Sequence, residues 1–173
     1  MTVTINGSAG VTTNSGAVYD SLQRATAVTA SGTSVDFTSI PSWVRRITVM
    51  FSGVSTSGTS NIQIQIGAGS FTTSGYVGTV NTAGGTNVAF SAGFVVLAST
   101  AAANLHSGQI TITNITGNTW VESSSLRANV ASSAGNQISA GNLALSSTLD
   151  RIRITTVNGT DTFDAGTINI IYE

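Results

Sequence analysis

The stretch V-D-F-T-S-I-P-S-W-V-R-R-I-T-V-M-F, residues 35–51, contains the only proline of the chain and one of its two tryptophans. Pro41 fixes its own φ and favours extended geometry at Ile40, so Phe37–Trp43 is expected to be a corner and not a helix. The β-branched and aromatic run Ile47–Phe51 follows and stops at a serine and a glycine, which is typical of a buried strand. The stretch therefore predicts a β-strand that is entered through a rigid turn.

The composition of the 173-residue chain fits one domain and an arm. Apolar residues make up 40% of the chain, which suffices for a core, but only 8% are charged. The average soluble domain has about 25% charged residues. There is no lysine, and serine, threonine and glycine dominate the remainder. Such a surface is interpreted in two ways: as one that meets other proteins, where charge is depleted, or as the threonine-rich exterior of a secreted or virion-type β-protein.

Several classes of function are disfavoured by the sequence. The net charge of −1 gives no electrostatic argument for binding nucleic acid or an anionic membrane. Cysteine is absent, which excludes disulfides and thiolate chemistry. The first residues show no signal-peptide pattern, and no run of about 18 apolar residues occurs. We therefore expect a protein that is made in a cytoplasm and stays soluble there, with neither nucleic acid nor membrane as a partner.

Residues 1–34 are expected to be an extended arm that anchors the protein to a partner. The arm begins with a short alternating strand and the turn-forming pair Asn6-Gly7. Within it, Ala17–Arg24 is the only segment whose spacing predicts a helix, of about two turns. Ala25–Ser31 alternates small residues and predicts a strand.

Residues 35–173 are expected to form the folded domain. In Asn61–Ile66 three isoleucines alternate with polar residues, which places them on one face of a strand. The apolar run Val88–Leu97 predicts one strand that is either buried on both faces or covered by a neighbour, and Gln109–Glu122 predicts a hairpin. Gly135–Asn142 is rich in turn-forming residues. Further strands are predicted at residues 76–80, 151–157 and 167–172.

The spacing of these strands indicates a fold class. Eight to ten strands separated by turn residues are typical of a β-sandwich or barrel. The connections around residues 67–75 and 98–107 exceed hairpin length, which favours Greek-key or jelly-roll connections over a simple meander. The sequence therefore predicts an all-β, jelly-roll-like β-sandwich with an extended N-terminal arm.

No group of residues marks a catalytic site. His106 is the only histidine, and nothing distinguishes the serines near it as a nucleophile that it would activate. It is interpreted as a loop histidine. Glu122, Asp150, Asp161 and Asp164 are available carboxylates, but no pair is marked as the acid and base of a glycosidase. We therefore predict no enzymatic activity, no catalytic residue and no cofactor.

Asp161 and Asp164 have two interpretations. Together with Asn158 they supply the oxygen ligands that calcium prefers, although their spacing does not match an EF-hand loop. Asx-type turns that cap a hairpin explain the same residues. We favour the turn and assign no metal site.

Two other groups of side chains are similarly ambiguous. The first group comprises four of the six arginines, Arg45, Arg46, Arg151 and Arg153. They form either a basic stripe or pairs with acidic residues across strands, and we favour the pairs. Trp43 and Trp120 either line a sugar-binding surface or pack in the corner and the core, and we favour packing.

Three segments resemble a domain of tailed-bacteriophage structural proteins that is often described as tail-fibre-like. They are F-T-S-I-P-S-W-V-R-R-I-T-V-M-F-S-G-V-S-T-S-G-T-S-N-I-Q-I-Q-I-G at Phe37–Gly67, L-D-R-I-R-I-T-T-V-N-G-T-D-T-F-D-A-G-T-I-N-I-I-Y-E at Leu149–Glu173, and the lead-in V-Y-D-S-L-Q-R-A-T-A-V at Val18–Val28. The resemblance covers roughly residues 18–173, with a variable middle.

The resemblance implies a homotrimeric structural protein on the exterior of a virion, assembled in the host cytoplasm. The sequence has no shaft, heptad or collagen-like repeat, which departs from a free-standing fibre. Neutral loops at 67–87, 98–107 and 123–142 favour a receptor-binding tip that contacts a host-surface glycan. The alternative is a capsid decoration (cement) protein, and in either role residues 1–34 would contact the tail or the major capsid protein. A third hypothesis is a stand-alone module that binds or cleaves glycans.

Overall fold

A computed structural model describes residues 3–6, 10–13, 22–82, 85, 87–98, 101–102, 104–129 and 135–173. Within these ranges every regular element is a β-strand and no helix occurs. Strands β1 (Val3–Asn6) and β2 (Gly10–Thr13) pair with each other. The other strands form two antiparallel sheets, so the all-β prediction is confirmed.

The two sheets differ in width. In spatial order the large sheet contains β10 (Asn87–Phe90), β9 (Val77–Thr82), β14 (Asn136–Ala144), β13 (Thr119–Asn129), β12 (Leu105–Thr116), β6 (Arg46–Thr56) and β16 (Phe163–Tyr172). Two short strands, β3 (Gln23–Arg24) and β4 (Val28–Thr29), pair with the outer edge of β16. The small sheet contains β11 (Phe94–Leu97), β7 (Ile62–Ala68), β15 (Arg151–Thr156) and β5 (Ser34–Thr38), and β8 (Ser70–Phe71) pairs with β7.

The connections are those of a jelly roll. The chain changes sheet at each step from β4 to β5, β6 and β7, then from β8 to β9, from β10 to β11, from β11 to β12, from β14 to β15 and from β15 to β16. The last two strands insert between early ones: β15 lies between β5 and β7, and β16 lies between β6 and the edge strands β3 and β4. This interleaving is the double Greek key of a jelly roll. The strand pairs β9–β10 and β13–β14 extend the large sheet beyond it.

The core lies between the sheets. Ile62, Ile64 and Ile66 of β7 are fully buried, as the alternation of Asn61–Ile66 predicts. They belong to the same buried cluster as Ile47 of β6. Burying one such side chain contributes roughly 1.5–3 kcal/mol. The alternating strands of the sequence therefore supply the stabilising interior of the sandwich.

The predicted corner joins the two sheets. It lies between β5 in the small sheet and β6 in the large one. The amide of Ile40 donates to Asp150 O at 2.9 Å, and the amide of Val44 closes a turn onto Pro41 O at 3.1 Å. The amide of Arg45 then donates to Glu173 O at 2.7 Å. These bonds hold the corner between the entrance of β15 and the end of β16.

The helix predicted at Ala17–Arg24 is wrong in its described part, and residues 17–21 lie outside the described ranges. Gln23–Arg24 pairs with Ile171 and Tyr172 of β16. A two-turn helix is marginal alone, whereas strand pairing satisfies backbone groups along the edge of β16. The strand predicted at Ala25–Ser31 is shorter than expected, because only β4 falls within it. The domain boundary at residue 34 stays a prediction, although β3 and β4 pair with the sandwich.

The single strand predicted at Val88–Leu97 is also wrong. It is two strands in different sheets, β10 and β11, separated by a bend at Ser91–Gly93. The bend passes close to β7: a Cβ at Gly93 would lie 2.7 Å from Gln63 Oε1, so a larger residue would have to displace the Gln63 side chain. The bend carries the chain from the large sheet to the small one.

The neutral loops predicted at 67–87, 98–107 and 123–142 are largely strands in the described residues. They contain β8, β9, the start of β12 and most of β13 and β14. The turn-rich segment Gly135–Asn142 forms most of β14, with Gln137 and Ser139 buried. The polar composition of this segment is typical of a turn, but it forms a strand whose polar side chains face the interior.

Candidate functional site

A cleft of about 200 Å³ opens beside the Pro41 corner, at one end of the sandwich. Three separate segments form its walls: the corner, the turn between β12 and β13, and the segment before β15. Its polar and aromatic lining consists of Ser42, Arg45, Asn114, Asn118, Trp120 and Thr148. We call it the corner cleft.

Hydrogen bonds of Asn114 fix the shape of the corner cleft. Its Nδ2 donates to Gly117 O at 3.0 Å and to Thr119 O at 3.2 Å, which closes the turn between β12 and β13. Gly117 adopts a φ of 52°, a conformation that favours glycine. The amide of Asn114 donates to Arg45 O at 2.7 Å and joins the turn to the corner. Two walls of the cleft are therefore held against each other by backbone bonds.

Arg45 is the one charged side chain among the described residues that line the corner cleft. Its Nη1 donates to Ser42 O and to Val44 O, both at 2.9 Å. Within the described part of the chain it forms no ion pair. The cleft therefore carries one positive charge that is not paired with any carboxylate of the described residues.

The two tryptophans pack as predicted but in different surroundings. Trp120 is 3% exposed and belongs to the core, and its Nε1 has no hydrogen-bond partner in the described part of the chain. Trp43 is 39% exposed and packs against Tyr172, with ring centroids 6.0 Å apart. Trp120 alone lines the corner cleft, so the two indoles do not share one sugar-binding surface.

The other three arginines pair with acidic side chains, as predicted. Arg153 donates from Nε and Nη2 to the two carboxylate oxygens of Asp36, at 2.8 and 2.7 Å. The two residues are cross-strand partners in β15 and β5. Arg46 forms an ion pair with Glu173. The basic stripe is therefore absent among the described arginines.

Asp150 completes the third of these pairs. Its carboxylate accepts hydrogen bonds from Arg151 Nε at 2.7 Å and from Arg151 Nη2 at 3.1 Å. The hydrogen bond from Arg151 keeps the pKa of Asp150 below its usual range. The guanidinium of Arg153 also lies 4.1 Å from the ring centre of Phe71. This side of the small sheet is thus a network of paired charges.

His106 is not a loop residue, so that interpretation is wrong. It lies in β12 and is 2% exposed, and burial lowers its pKa to about 4. Hydrophobic alternation does not extend to His106, because Gly108 interrupts the apolar pattern that begins at Ile110. The backbone of Gly108 approaches Ser125 O so closely that a Cβ would lie 2.4 Å from it.

Glu122 is buried on the inner face of the large sheet. Its Oε1 accepts a hydrogen bond from Ser139 Oγ at 2.7 Å, and the hydroxyls of Ser124 and Ser139 are 2.6 Å apart. Burial raises the pKa of Glu122 to about 7, although both serines oppose the shift. Glu122 pairs with Ile112, six positions along β12 from His106, so the two groups lie about 20 Å apart. They do not form an acid–base pair.

Asn158 and Asp161 form the Asx-type turn that the sequence predicts. Asn158 Oδ1 accepts from the amides of Thr160 and Asp161, at 3.0 and 3.1 Å. Asp161 accepts from Asn158 Nδ2 at 2.8 Å, whereas Asp164 binds the hydroxyl of Ser55. Among the described residues, no three acidic, histidine or cysteine side chains gather into a metal-binding group.

The outer face of the large sheet carries two rows of side chains without charge. Cross-strand partners point to the same side of an antiparallel sheet. The first row is Asn87, Asn81, Ile138, Ser125, Gln109, Met50 and Asn169. The second row is Ala89, Thr79, Ala140, Ser123, Thr111, Thr48 and Ile171. Beyond these seven strands the second row ends at the exposed Arg24 of β3, the cross-strand partner of Ile171. We call these two rows the uncharged face. Seven strands contribute to it, so it spans about 29 Å across the sheet.

No known protein-family model matches this chain, and no curated protein or solved structure is significantly similar to it. The described part of the chain contains no helix long and apolar enough to cross a membrane.

Proposed function

We propose that this protein is a non-enzymatic structural protein on the exterior of a tailed-bacteriophage virion, of the tail-fibre or receptor-binding-tip type. The observation that carries the proposal is the uncharged face. Charged residues are depleted where protein surfaces meet, and Ile138, near one edge of the uncharged face, leaves 56% of its surface exposed. Such a surface suits a subunit that contacts neighbours in a larger particle.

The fold supports the same proposal. Jelly rolls occur in viral capsid and lectin domains, although a fold alone does not determine function. The phage-like segments Phe37–Gly67 and Leu149–Glu173 supply β6, β7, β15 and β16. These strands are neighbours in the two sheets and form the centre of the jelly roll. The resemblance therefore falls on the framework of the domain and not on its peripheral strands.

The partners are part of the proposal. We expect a homotrimer, and light scattering at micromolar concentration tests it: a stable monomer would contradict this assembly. We also expect the arm to contact the tail or the major capsid protein. Because β3 and β4 pair with β16, removing residues 1–21 is a cleaner test than removing residues 1–34.

Capsid decoration is the alternative, because the uncharged face suits contact with a capsid equally well. Gold-labelled antibodies against the purified protein, applied to phage particles assembled from the genome that encodes it, separate the two roles. Label at the tail tip supports the receptor-binding role, and label over the head supports decoration. Particles that carry no label would refute both.

The arm-deleted protein adds a functional comparison. If the tip role is correct, particles assembled with the truncate keep intact heads but adsorb poorly to host cells. If decoration is correct, the truncate leaves the heads fragile to heat while adsorption persists. The full-length protein, assembled in parallel, is the control.

A further inference from the structure

The corner cleft combines one free positive charge with neutral hydrogen-bonding groups. The Nη1 of Arg45 is occupied by two carbonyls of the corner, which orients the guanidinium. Its Nε–H and Nη2–H groups make no hydrogen bond within the described part of the chain. That edge of a guanidinium presents two parallel donors, which match the two oxygens of a carboxylate.

The remaining polar lining suits hydroxyl groups. Ser42 and Thr148 each offer a hydroxyl, and Asn118 offers a side-chain amide with both donor and acceptor atoms. Trp120 contributes an indole whose N–H is buried without a partner in the described part of the chain.

The size of the corner cleft limits the ligand. Its volume is about 200 Å³, below the roughly 300–1,000 Å³ of sites for drug-sized ligands. One sugar ring is a better match than a long oligosaccharide. From the charge, the lining and the size together, we propose that the corner cleft binds the terminal residue of an acidic saccharide, such as a uronic acid. This ligand class rests on the proposed receptor-binding role and makes it specific.

Titration of the purified full-length chain with glucuronic acid tests the proposal. Glucose, which lacks the carboxylate, and acetate, which lacks the ring, are the two control ligands. We expect the uronic acid to bind at least tenfold more tightly than either control. Equal binding of glucose would remove the role of Arg45, and equal binding of acetate would reduce the site to one for simple anions. Either result overturns the proposal, as does the absence of any binding.

Variants locate the binding. Asn118→Asp adds a carboxylate to the cleft wall and is expected to weaken uronic acid binding at least tenfold. Asn136→Asp adds the same charge on an exposed position of β14 and is the matched control. Arg45→Gln is expected to weaken binding by a similar factor, and circular dichroism checks that its corner remains folded. If Asn118→Asp and Asn136→Asp bind equally, the ligand lies elsewhere and the proposal fails.

The two tryptophans provide a direct reporter. In Trp43→Phe the only tryptophan left is Trp120, in the wall of the cleft. Uronic acid should change the emission of this variant with the same affinity as calorimetry gives. Binding without a change in emission would contradict the cleft. These binding measurements use isolated protein and are independent of the antibody labelling of particles. If the protein labels the tail tip but does not bind uronic acid, the cleft proposal alone is rejected. If the particles carry no label, the virion role is rejected.

Discussion

Replacing Glu122 with glutamine should change how stability depends on pH. Glu122 is 3% exposed, and burial raises its pKa from 4.5 to about 7. The unfolded chain therefore loses this proton at lower pH than the folded chain does. Stability from this group is complete below pH 4.5 and falls as the pH rises to about 7. The difference between these two pKa values corresponds to about 3 kcal/mol of unfolding free energy.

His106 contributes with the opposite sign. Burial lowers its pKa from 6.5 to about 4, so the unfolded chain binds a proton that the folded chain excludes. Stability from this group is complete above pH 6.5 and falls by about 3 kcal/mol as the pH drops to 4. Between pH 4.5 and 6.5 the stability from Glu122 falls with rising pH while the stability from His106 rises, so the unfolding free energy of the native chain changes little with pH. Glu122→Gln removes the first of these contributions, so the variant should gain about 1.4 kcal/mol of stability per pH unit across this interval.

Urea denaturation at half-unit steps from pH 4 to pH 8 measures both profiles, with protein concentration held constant because assembly shifts apparent stability. The two chains are compared by the slope of unfolding free energy against pH. The glutamine amide also alters the hydrogen bond from Ser139, but this changes stability by the same amount at every pH. The difference in unfolding free energy between variant and native chain should grow by about 3 kcal/mol in the variant's favour from pH 4.5 to pH 7. A constant difference across that interval would show that Glu122 ionises normally in the folded protein, and the reasoning would fail.

Two further predictions concern packing. Gly141→Ala places a Cβ 2.8 Å from Phe90 Cζ, so we expect a loss of about 1–3 kcal/mol and a lower melting temperature. Gly135→Ala is the control, because its Cβ would lie 3.4 Å from the nearest atom, and an equal loss in both variants would contradict the steric reason. Tyr76→Phe removes the hydroxyl that accepts from the Ile66 amide at 2.8 Å. We expect about 1–3 kcal/mol less stability in urea, and unchanged stability would mean that the amide finds another acceptor.

The elements that sequence reasoning predicts are those whose apolar residues alternate without interruption. Asn61–Ile66 and the strand around Ile152 and Ile154 show this pattern, and both lie in the small sheet. Pro41 marks the corner because it has no N–H to donate within a helix or a sheet and disfavours helical geometry at Ile40. From these elements and the long connections, the jelly-roll class follows. The pairing of Arg153 with Asp36 and of Arg46 with Glu173 is also predictable, because partners of opposite charge stabilise each other across strands. The pair of Arg151 with Asp150 is instead between neighbours in sequence.

The elements that escape prediction have polar side chains facing inward. Gln137 and Ser139 of β14 are buried, yet they resemble a turn region in sequence. Gln137 has a structural reason to be inside: its Oε1 accepts a hydrogen bond from the Ala98 amide at 2.5 Å, just beyond β11. Such a partner is needed where a strand ends inside the protein. Hydrophobic periodicity cannot detect a side chain whose role is to satisfy a distant backbone group.

The corner cleft escapes prediction for a related reason, since tertiary contacts create it. Asn118 lies near Arg45 because β12 pairs with β6, and Thr148 lies there because the segment before β15 bonds to the corner. The cleft lies at one end of the sandwich, whereas the uncharged face covers the broad side of the large sheet. A subunit that covered the uncharged face would therefore leave the cleft open to a ligand. Accordingly, Asn118→Asp should weaken binding of the acidic saccharide without altering the mass of the assembly measured by light scattering. Loss of both saccharide binding and assembly in this variant would contradict the separation of the two surfaces.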